Sequence, residues 1–166
     1  AEVLRDLGAR CEAAGVVLAF EPNPVEYGCD FVTNLREGRA LVDLVGANGV
    51  QLHVDSADVH LCGGDVAGEL ERAVRFIHCH AGEPYLAWSD PKVEHAAFGA
   101  ALRPTGYGGW ISIEMRPAKE ADAEVAAIAA AGGRVRAAYG GPSAGRGASI
   151  PCDRCEPSRS SSRRRC

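Results

Sequence analysis

Four short apolar runs, each ending in a polar side chain, constrain the fold of this chain more than any other feature. The apolar runs are 16–20, 49–54, 73–79 and 109–113. The polar residues that directly follow them are Glu21, Asp55, His80 and Glu114. Short, nearly continuous apolar segments bounded by turn residues are typical of strands that are buried on both faces of a sheet. The sequence therefore predicts four buried strands with similar ends.

Segments with helical periodicity separate and flank these runs. They cover 1–14, 34–45, 66–72, 92–102 and 118–131, and the last is expected to end at the Gly132-Gly133 pair. Strands alternating with helices predict right-handed crossovers and a parallel sheet. Four such units make half of a (β/α)8 barrel, which needs about 250 residues. We therefore expect an α/β fold, a partial TIM barrel, and the opening Ala1 favours a fragment.

The chain divides into two regions of different composition. Residues 1–138 carry the apolar periodicity and are predicted to form the partial barrel. Residues 139–166 are rich in Gly, Ser and Arg, so they are predicted to form a disordered, low-complexity tail. The tail carries a charge of +4, which leaves −8 for the remainder. An acidic body argues against a nucleic-acid partner, which requires a basic face.

The spacing of the cysteines and the hydropathy of the sequence indicate the cellular compartment of the protein. The seven cysteines lack the paired spacing of a zinc site, and Cys152-Asp153-Arg154-Cys155 stands without a second pair. Free thiols are typical of a reducing environment, so a cytoplasmic protein is expected. No apolar run reaches the roughly 20 residues that a membrane span requires, and no membrane partner is predicted.

The four strand-end residues suggest a metal site. Side chains at the carboxyl ends of parallel barrel strands face a common site, so Glu21, Asp55, His80 and Glu114 are candidate metal ligands. Three carboxylates and an imidazole favour Mn²⁺, Mg²⁺ or Co²⁺ over Zn²⁺. Such a cation holds adjacent oxygens of a hydroxy-ketone, and Glu21 and Glu114 are then candidates for catalytic proton transfer. Individually, a strand-end carboxylate is more often a solvated residue or a helix cap.

Several neighbouring residues are candidates for substrate binding, each with a plainer alternative. They are Asn23, Asp58 and His60, which also suit loop roles; His78, which is equally suited to a buried hydrogen bond; and Glu83, which also suits a cap of the following segment. Three others are given non-catalytic roles. His53 is expected to pack in the core, His95 to lie solvated on a helix, and Trp110 to pack between barrel and helix.

Four segments resemble a known family. They are LAFEPNP at 18–24, LHVDSAD at 52–58, IHCHAGEPYL at 77–86 and GYGGWISIEM at 106–115. These resemble the second half of the xylose isomerase-like TIM-barrel family, sugar phosphate isomerases and epimerases that include ketose 3-epimerases. The resemblance covers about residues 1–130 and implies that these strands are the fifth to eighth of a barrel. It also implies that Glu21, Asp55, His80 and Glu114 hold the metal.

Two departures from the ketose 3-epimerase pattern leave the substrate open. Asp58 stands where such epimerases have a histidine three residues after the aspartate ligand, and Leu86 stands where they have an arginine. The expected substrate is therefore a sugar, a sugar phosphate or a polyol. The alternatives are a metal-dependent dehydratase on the same barrel, a phosphodiester-cleaving enzyme that needs further ligands, and an inactive fragment. Exposed sheet edges would also allow a homo-oligomer.

Overall fold

A computed structural model of the chain describes residues 1–73, 76–118 and 120–140. Residues 74 and 75 of the third predicted strand lie outside these ranges. The predicted disordered tail, which includes Cys152 and Cys155, lies outside them from residue 141 onwards.

Four parallel strands form a single sheet in the described residues. Their order is that of the sequence: β1 (Leu18–Phe20), β2 (Val50–Asp55), β3 (Phe76–Ala81) and β4 (Ile111–Ile113). Each overlaps a predicted apolar run; β1, β2 and β4 begin later than predicted, and β3 continues one residue past His80 to Ala81. The α/β architecture with a parallel sheet is confirmed, and it is consistent with part of a TIM barrel.

Six α-helices accompany the strands in the part of the chain that the structure describes. They are α1 (Glu2–Ala13), α2 (Leu35–Val45), α3 (Ser56–Cys62), α4 (Val66–Ala73), α5 (His95–Leu102) and α6 (Ala121–Tyr139). The sequence predicts the ends of α2 well, because Asn34 accepts a hydrogen bond from the Glu37 N–H and Gly46 ends the helix in the left-handed region, at φ 63°. The short helix α3 is not predicted.

The predicted end of the last helix is wrong, because α6 continues through Gly132-Gly133 to Tyr139. Two glycines inside a helix cost about 1 kcal/mol each relative to alanine. Tertiary packing offsets this cost, since α6 lies closely against α5. A Cβ at Gly99 of α5 would stand 2.3 Å from the Ala138 carbonyl oxygen, so only glycine permits this approach.

The sheet has one apolar face and one polar face. The apolar face packs under the helices in a core that contains Leu52, Val54 and Cys79 of the strands with Leu35, Leu70 and Phe98 of the helices. The polar face carries the candidate ligands. Because successive strand residues point to opposite faces, the same alternation builds the core on one face and places the ligand side chains on the other.

β1 and β4 are the two edge strands of the sheet in the described residues. Trp110, directly before β4, is 83% exposed, so the prediction that it packs between barrel and helix is wrong. Val16 and Val17, directly before β1, are exposed as well. Both edges thus present apolar side chains to solvent. None of the helices in the described part of the chain has the length and hydropathy that crossing a membrane requires.

Candidate metal centre

Strand register brings the four predicted ligands together. Asp55 pairs with His80 across β2 and β3, and Glu114 directly follows Ile113, which pairs with Ala81. Glu21 directly follows Phe20, the last residue of β1. One ligand atom from each of the four residues lies within 4.8 Å of the others. Four positions far apart in sequence therefore form one cluster, the strand-end cluster.

His80 lies at the centre of this cluster. Its Nδ1 atom is 3.4 Å from Glu114 Oε2, 3.5 Å from Glu21 Oε1 and 3.6 Å from Asp55 Oδ2. It is nevertheless buried without a hydrogen-bond partner in the described residues. A buried polar atom of this kind costs free energy unless something else satisfies it.

A divalent cation fits this arrangement. Ligand atoms ~2.1 Å from a shared cation lie ~3.0 Å apart at right angles and ~3.4 Å apart at tetrahedral angles. The contacts of His80 Nδ1 with the three carboxylates, at 3.4–3.6 Å, are close to this spacing. A cation bound there would satisfy the imidazole nitrogen and offset the repulsion among the carboxylates. The four residues are therefore able to hold a metal.

Asp55 serves two purposes at once. Its Oδ1 accepts a hydrogen bond from the Ala57 N–H at 2.6 Å and so begins α3, while Oδ2 faces His80. Gly82 leaves room for this carboxylate, because a Cβ at residue 82 would stand 2.6 Å from Oδ1 and 2.7 Å from Oδ2. The helix-cap interpretation and the ligand interpretation of Asp55 are thus compatible.

A second layer of polar side chains lies beneath the ligands, two residues earlier on β2, β3 and β4. His53 Nε2 is 3.0 Å from Glu21 Oε1 but completes no hydrogen bond within the described part of the chain, and the His53 and His80 rings meet edge to face at 4.2 Å. His78 Nε2 lies 3.0 Å from Ser112 Oγ. His53 also forms an alternative ligand group with Glu21 and His80. His53 and His78 each lie two residues before a ligand, Asp55 and His80, and this spacing is the sequence signal for the layer.

The pKa values of Glu21 and His80 are shifted because the charged side chains of the strand-end cluster lie close together. Burial alone would raise the pKa of Glu21, but the His53 and His80 imidazoles lower it to about 2. The Asp55 and Glu21 carboxylates raise the pKa of His80 to about 10 against the opposing effect of burial. Without a cation, His80 therefore carries the positive charge that balances the carboxylates.

The pKa values of Glu114 and Asp58 shift upwards, in the opposite direction to that of Glu21. Burial raises the pKa of Glu114, with the Asp55 and Glu21 carboxylates adding to the effect and His80 opposing it. Burial, and then the charges of Asp55, Glu21 and Glu114, raise the pKa of Asp58 to about 8. Glu114 and Asp58 therefore hold their protons more readily, which reduces the negative charge at this edge of the sheet. A bound cation would reduce that charge in the same way.

A cleft of about 260 Å³ opens over the cluster. Asn23 and Asp58, two of the predicted substrate-binding residues, line it together with Glu21, Asp55 and Glu114. The remaining walls come from the aromatic pair Tyr27 and Tyr85, whose rings meet edge to face at 5.3 Å, and from Ala57, Leu86 and Arg116.

The other three predicted substrate-binding residues do not line this cleft. His60 is exposed on α3, and His78 lies in the layer beneath the ligands. Glu83 is fully buried, and its Oε2 accepts hydrogen bonds from the backbone N–H groups of Lys92 and Val93. These contacts match the alternative prediction for Glu83, that it caps the segment which follows.

One prediction near the site is wrong. His95 is not solvated but 8% exposed, and its ring lies between Glu83 and Tyr139. Trp88, which the sequence predicts to pack among aromatic loop residues or to form an apolar wall for the sugar, does not line the cleft and donates a hydrogen bond to the Glu114 carbonyl oxygen at 2.7 Å. Both contacts join residues from separate parts of the chain, so a local pattern does not reveal them.

Comparisons with known proteins show the family and the fold of the chain. A family model described as xylose isomerase-like TIM barrel matches residues 1–131. Among curated proteins no sequence matches the chain significantly.

Solved structures with the same fold include several enzymes. They are D-psicose 3-epimerase from Clostridium cellulolyticum H10 (TM-score 0.75, 20% identity, 83% of this chain and 54% of that one), 3-keto-D-glucoside 4-epimerase from E. coli (0.65, 19%, 80% and 51%) and an AP endonuclease of family 2 from Brucella melitensis (0.63, 20%, 78% and 52%). The chain thus spans about half the length of the structures that it matches.

Proposed function

The chain belongs to the xylose isomerase-like TIM barrel family, and we propose on this basis that its strand-end cluster supports divalent-metal-dependent isomerisation or epimerisation of a sugar, sugar phosphate or polyol. The single observation that carries the proposal is His80 Nδ1, which has no hydrogen-bond partner within residues 1–73, 76–118 and 120–140 and faces three carboxylate oxygens at 3.4–3.6 Å. Sugar epimerases among the similar structures support the reaction class. The strands are proposed to be the fifth to eighth of a barrel.

The four ligands would be Glu21, Asp55, His80 and Glu114, and their oxygen-rich set favours Mn²⁺, Mg²⁺ or Co²⁺. A bound cation would hold two adjacent substrate oxygens and polarise the carbonyl. Asp55 is anchored by the Ala57 N–H, so it would provide a fixed ligand.

Glu21 and Glu114 would transfer the proton. They follow the two edge strands β1 and β4, so they approach a molecule in the cleft from opposite sides. One carboxylate would remove the proton next to the carbonyl, and the other would return a proton on the opposite face. The raised pKa of Glu114 suits the group that holds the proton, while Glu21, with a pKa of about 2, stays ionised.

The cleft suggests where the rest of the substrate would lie. Asn23 and Asp58 offer polar contacts, and the Tyr27–Tyr85 pair offers an apolar wall for a sugar ring or chain. Arg116 supplies a cation at the same cleft, although Leu86 replaces the arginine of the ketose 3-epimerase pattern. His60 and His78 would contribute only from outside the cleft.

A metal titration tests the proposal. We expect the purified chain to bind Mn²⁺ in calorimetry, His80→Ala to weaken binding at least about 100-fold, and Glu114→Gln to weaken it about tenfold or more. His60→Ala and Glu94→Gln, at exposed positions outside the cluster, are the matched controls. Unchanged binding in both His80→Ala and Glu114→Gln would remove the proposed site.

The reaction class needs a separate measurement. An isomerase conserves the mass of its substrate, whereas a dehydratase on the same site would release water, so mass spectrometry of products from a panel of ketoses and their phosphates separates the two. Because the chain spans about half of the matched structures, we propose that full turnover requires further strand–helix units beside the open edges of β1 and β4. A second copy of the chain is one source of these units. Turnover at ordinary rates by a purified monomer would contradict this.

A further inference from the structure

We infer that Trp88, which stacks on His95 within a buried chain of hydrogen bonds, is a positioning residue for Glu114. The inference rests on the proposed function, because it gives Trp88 a task at the same site. Trp88 and His95 do not line the cleft, and the Trp88 indole reaches the strand-end cluster through its hydrogen bond to the Glu114 carbonyl oxygen.

The buried chain runs through Glu83, His95 and Tyr139. Glu83 Oε1 lies 3.0 Å from His95 Nε2, and His95 Nδ1 lies 2.8 Å from the Tyr139 hydroxyl. One tautomer satisfies both contacts, with Nε2–H donating to the carboxylate and the Tyr139 hydroxyl donating to Nδ1. The second oxygen of Glu83 accepts two backbone N–H groups at 2.7 and 3.0 Å. The imidazole is therefore fixed in both place and orientation.

The fixed imidazole supports the Trp88 indole. The two rings stack almost in parallel, 8° apart, with their centroids separated by 5.0 Å. The Arg134 guanidinium donates to the Trp88 carbonyl oxygen at 3.1 Å. Since Arg134 and Tyr139 both belong to α6, this helix holds Trp88 directly and also through His95.

Glu114 is the member of the strand-end cluster that most needs such support. It follows β4, a three-residue edge strand, and its side chain is 45% exposed, whereas that of Asp55 is 4% exposed. The Glu114 N–H donates to the Ala81 carbonyl at 3.2 Å, and the Glu114 carbonyl accepts from Trp88 Nε1 at 2.7 Å. Without the Trp88 bond, only the bond to Ala81 fixes this residue through its own backbone among the hydrogen bonds that the described chain shows.

Loss of this support is expected to reduce metal binding. A carboxylate ligand must reach its cation within a few tenths of an ångström, and removing a group that orients a ligand typically weakens binding 10–100-fold. Trp88→Phe keeps an aromatic ring against His95 but removes the N–H donor. We expect it to weaken Mn²⁺ binding about tenfold.

A double-mutant cycle separates positioning from general loss of structure. Mn²⁺ affinity is measured for the unmodified chain, Trp88→Phe, Glu114→Gln and the double variant. If Trp88 acts through Glu114, the effect of Trp88→Phe falls below about twofold in the Glu114→Gln background. An equal loss in both backgrounds, or no loss in the unmodified background, would overturn the inference. Trp110→Phe, at an exposed tryptophan, is the control and should change nothing.

Two further measurements test whether the change in Mn²⁺ affinity comes from the position of Trp88. In the Trp110→Phe background, Trp88 is the remaining tryptophan of the chain, so its emission reports directly on burial of the indole. Arg134→Gln removes the bond to the Trp88 carbonyl at an exposed helix position, and a two- to threefold loss is expected, again only when Glu114 is present. If the unmodified chain fails to bind Mn²⁺, the proposed function fails as well. If it binds, and His80→Ala abolishes binding while Trp88→Phe has no effect, only the positioning role fails.

Discussion

The strand-end cluster around His80 and the buried chain around His95 use the same side chains, carboxylates beside an imidazole, in opposite ways. In the buried chain, both His95 nitrogens and both Glu83 oxygens have partners within 3.0 Å. In the strand-end cluster, His80 Nδ1 is buried with no hydrogen bond to any described residue, and the carboxylates that face it repel one another.

The difference shows that one region of this fold serves mainly stability and another serves mainly function. A buried polar group with all its partners rigidifies its surroundings, whereas one without partners costs free energy that the rest of the fold must offset. Without a cation, the strand-end cluster is therefore expected to contribute to stability only through the charge on His80, whereas the fully paired buried chain is expected to contribute much. Each prediction below tests one side of this contrast.

The largest effect is expected from exchanging one carboxylate in each region for an amide. Glu83→Gln places an NH₂ group among hydrogen-bond donors and should lower the free energy of unfolding by about 2–4 kcal/mol. Glu114→Gln removes one of several like charges, so without metal it should change stability by less than about 0.5 kcal/mol. Urea denaturation with a chelator present measures both. Equal losses in the two variants would contradict the contrast.

A smaller effect is expected from the glycine that makes room for Asp55. A Cβ at residue 82 would stand 2.6 Å from Asp55 Oδ1, so Gly82→Ala should displace the carboxylate and weaken Mn²⁺ binding about tenfold, or about 1.4 kcal/mol. Gly108→Ala, where no atom lies within 4 Å of the added Cβ, is the matched control. If Gly82→Ala binds Mn²⁺ as the unmodified chain does, Asp55 is not a ligand.

The two imidazoles should also respond to pH in opposite directions. The pKa of His80 is raised from 6.5 to about 10 by Asp55 and Glu21. Its contribution to stability is therefore complete below pH 6.5 and is lost as the pH rises to about 10. Burial lowers the pKa of His95, with Glu83 opposing the shift. Stability from a neutral His95 is therefore present above pH 6.5 and is lost as the pH falls below that value.

Histidine ring resonances in NMR, titrated without metal, measure these shifts individually. His80→Ala assigns one resonance and should flatten the loss of stability between pH 6.5 and 10. A His80 resonance that titrates at or below 6.5 would mean that the carboxylates do not face it as the structure shows.

The sequence is sufficient to predict the strand-end cluster but not the buried chain. Glu21, Asp55, His80 and Glu114 are predictable because parallel strands place their ends at one edge, and a local pattern is enough to find strand ends. The contacts of His95 with Glu83 and Tyr139 span 12 and 44 residues, and they depend on how α5 and α6 pack.

The end of α6 shows the same limit of local patterns. Gly132-Gly133 predicts a helix end, and only packing against α5 carries the helix on to Tyr139. Exposure of Trp110 depends on which strands neighbour β4, and no local pattern contains that information.

The smallest predicted effect concerns the outer end of the buried chain. Tyr139→Phe removes the hydroxyl that lies 2.8 Å from His95 Nδ1 but keeps the ring, so it should cost about 1 kcal/mol of stability. Mn²⁺ affinity should stay within about threefold, because Glu83 and the stacked Trp88 still hold the imidazole. A drop in affinity as large as that expected for Trp88→Phe would mean that the hydroxyl itself transmits order to the metal site. The buried chain and the strand-end cluster would then be one structural unit.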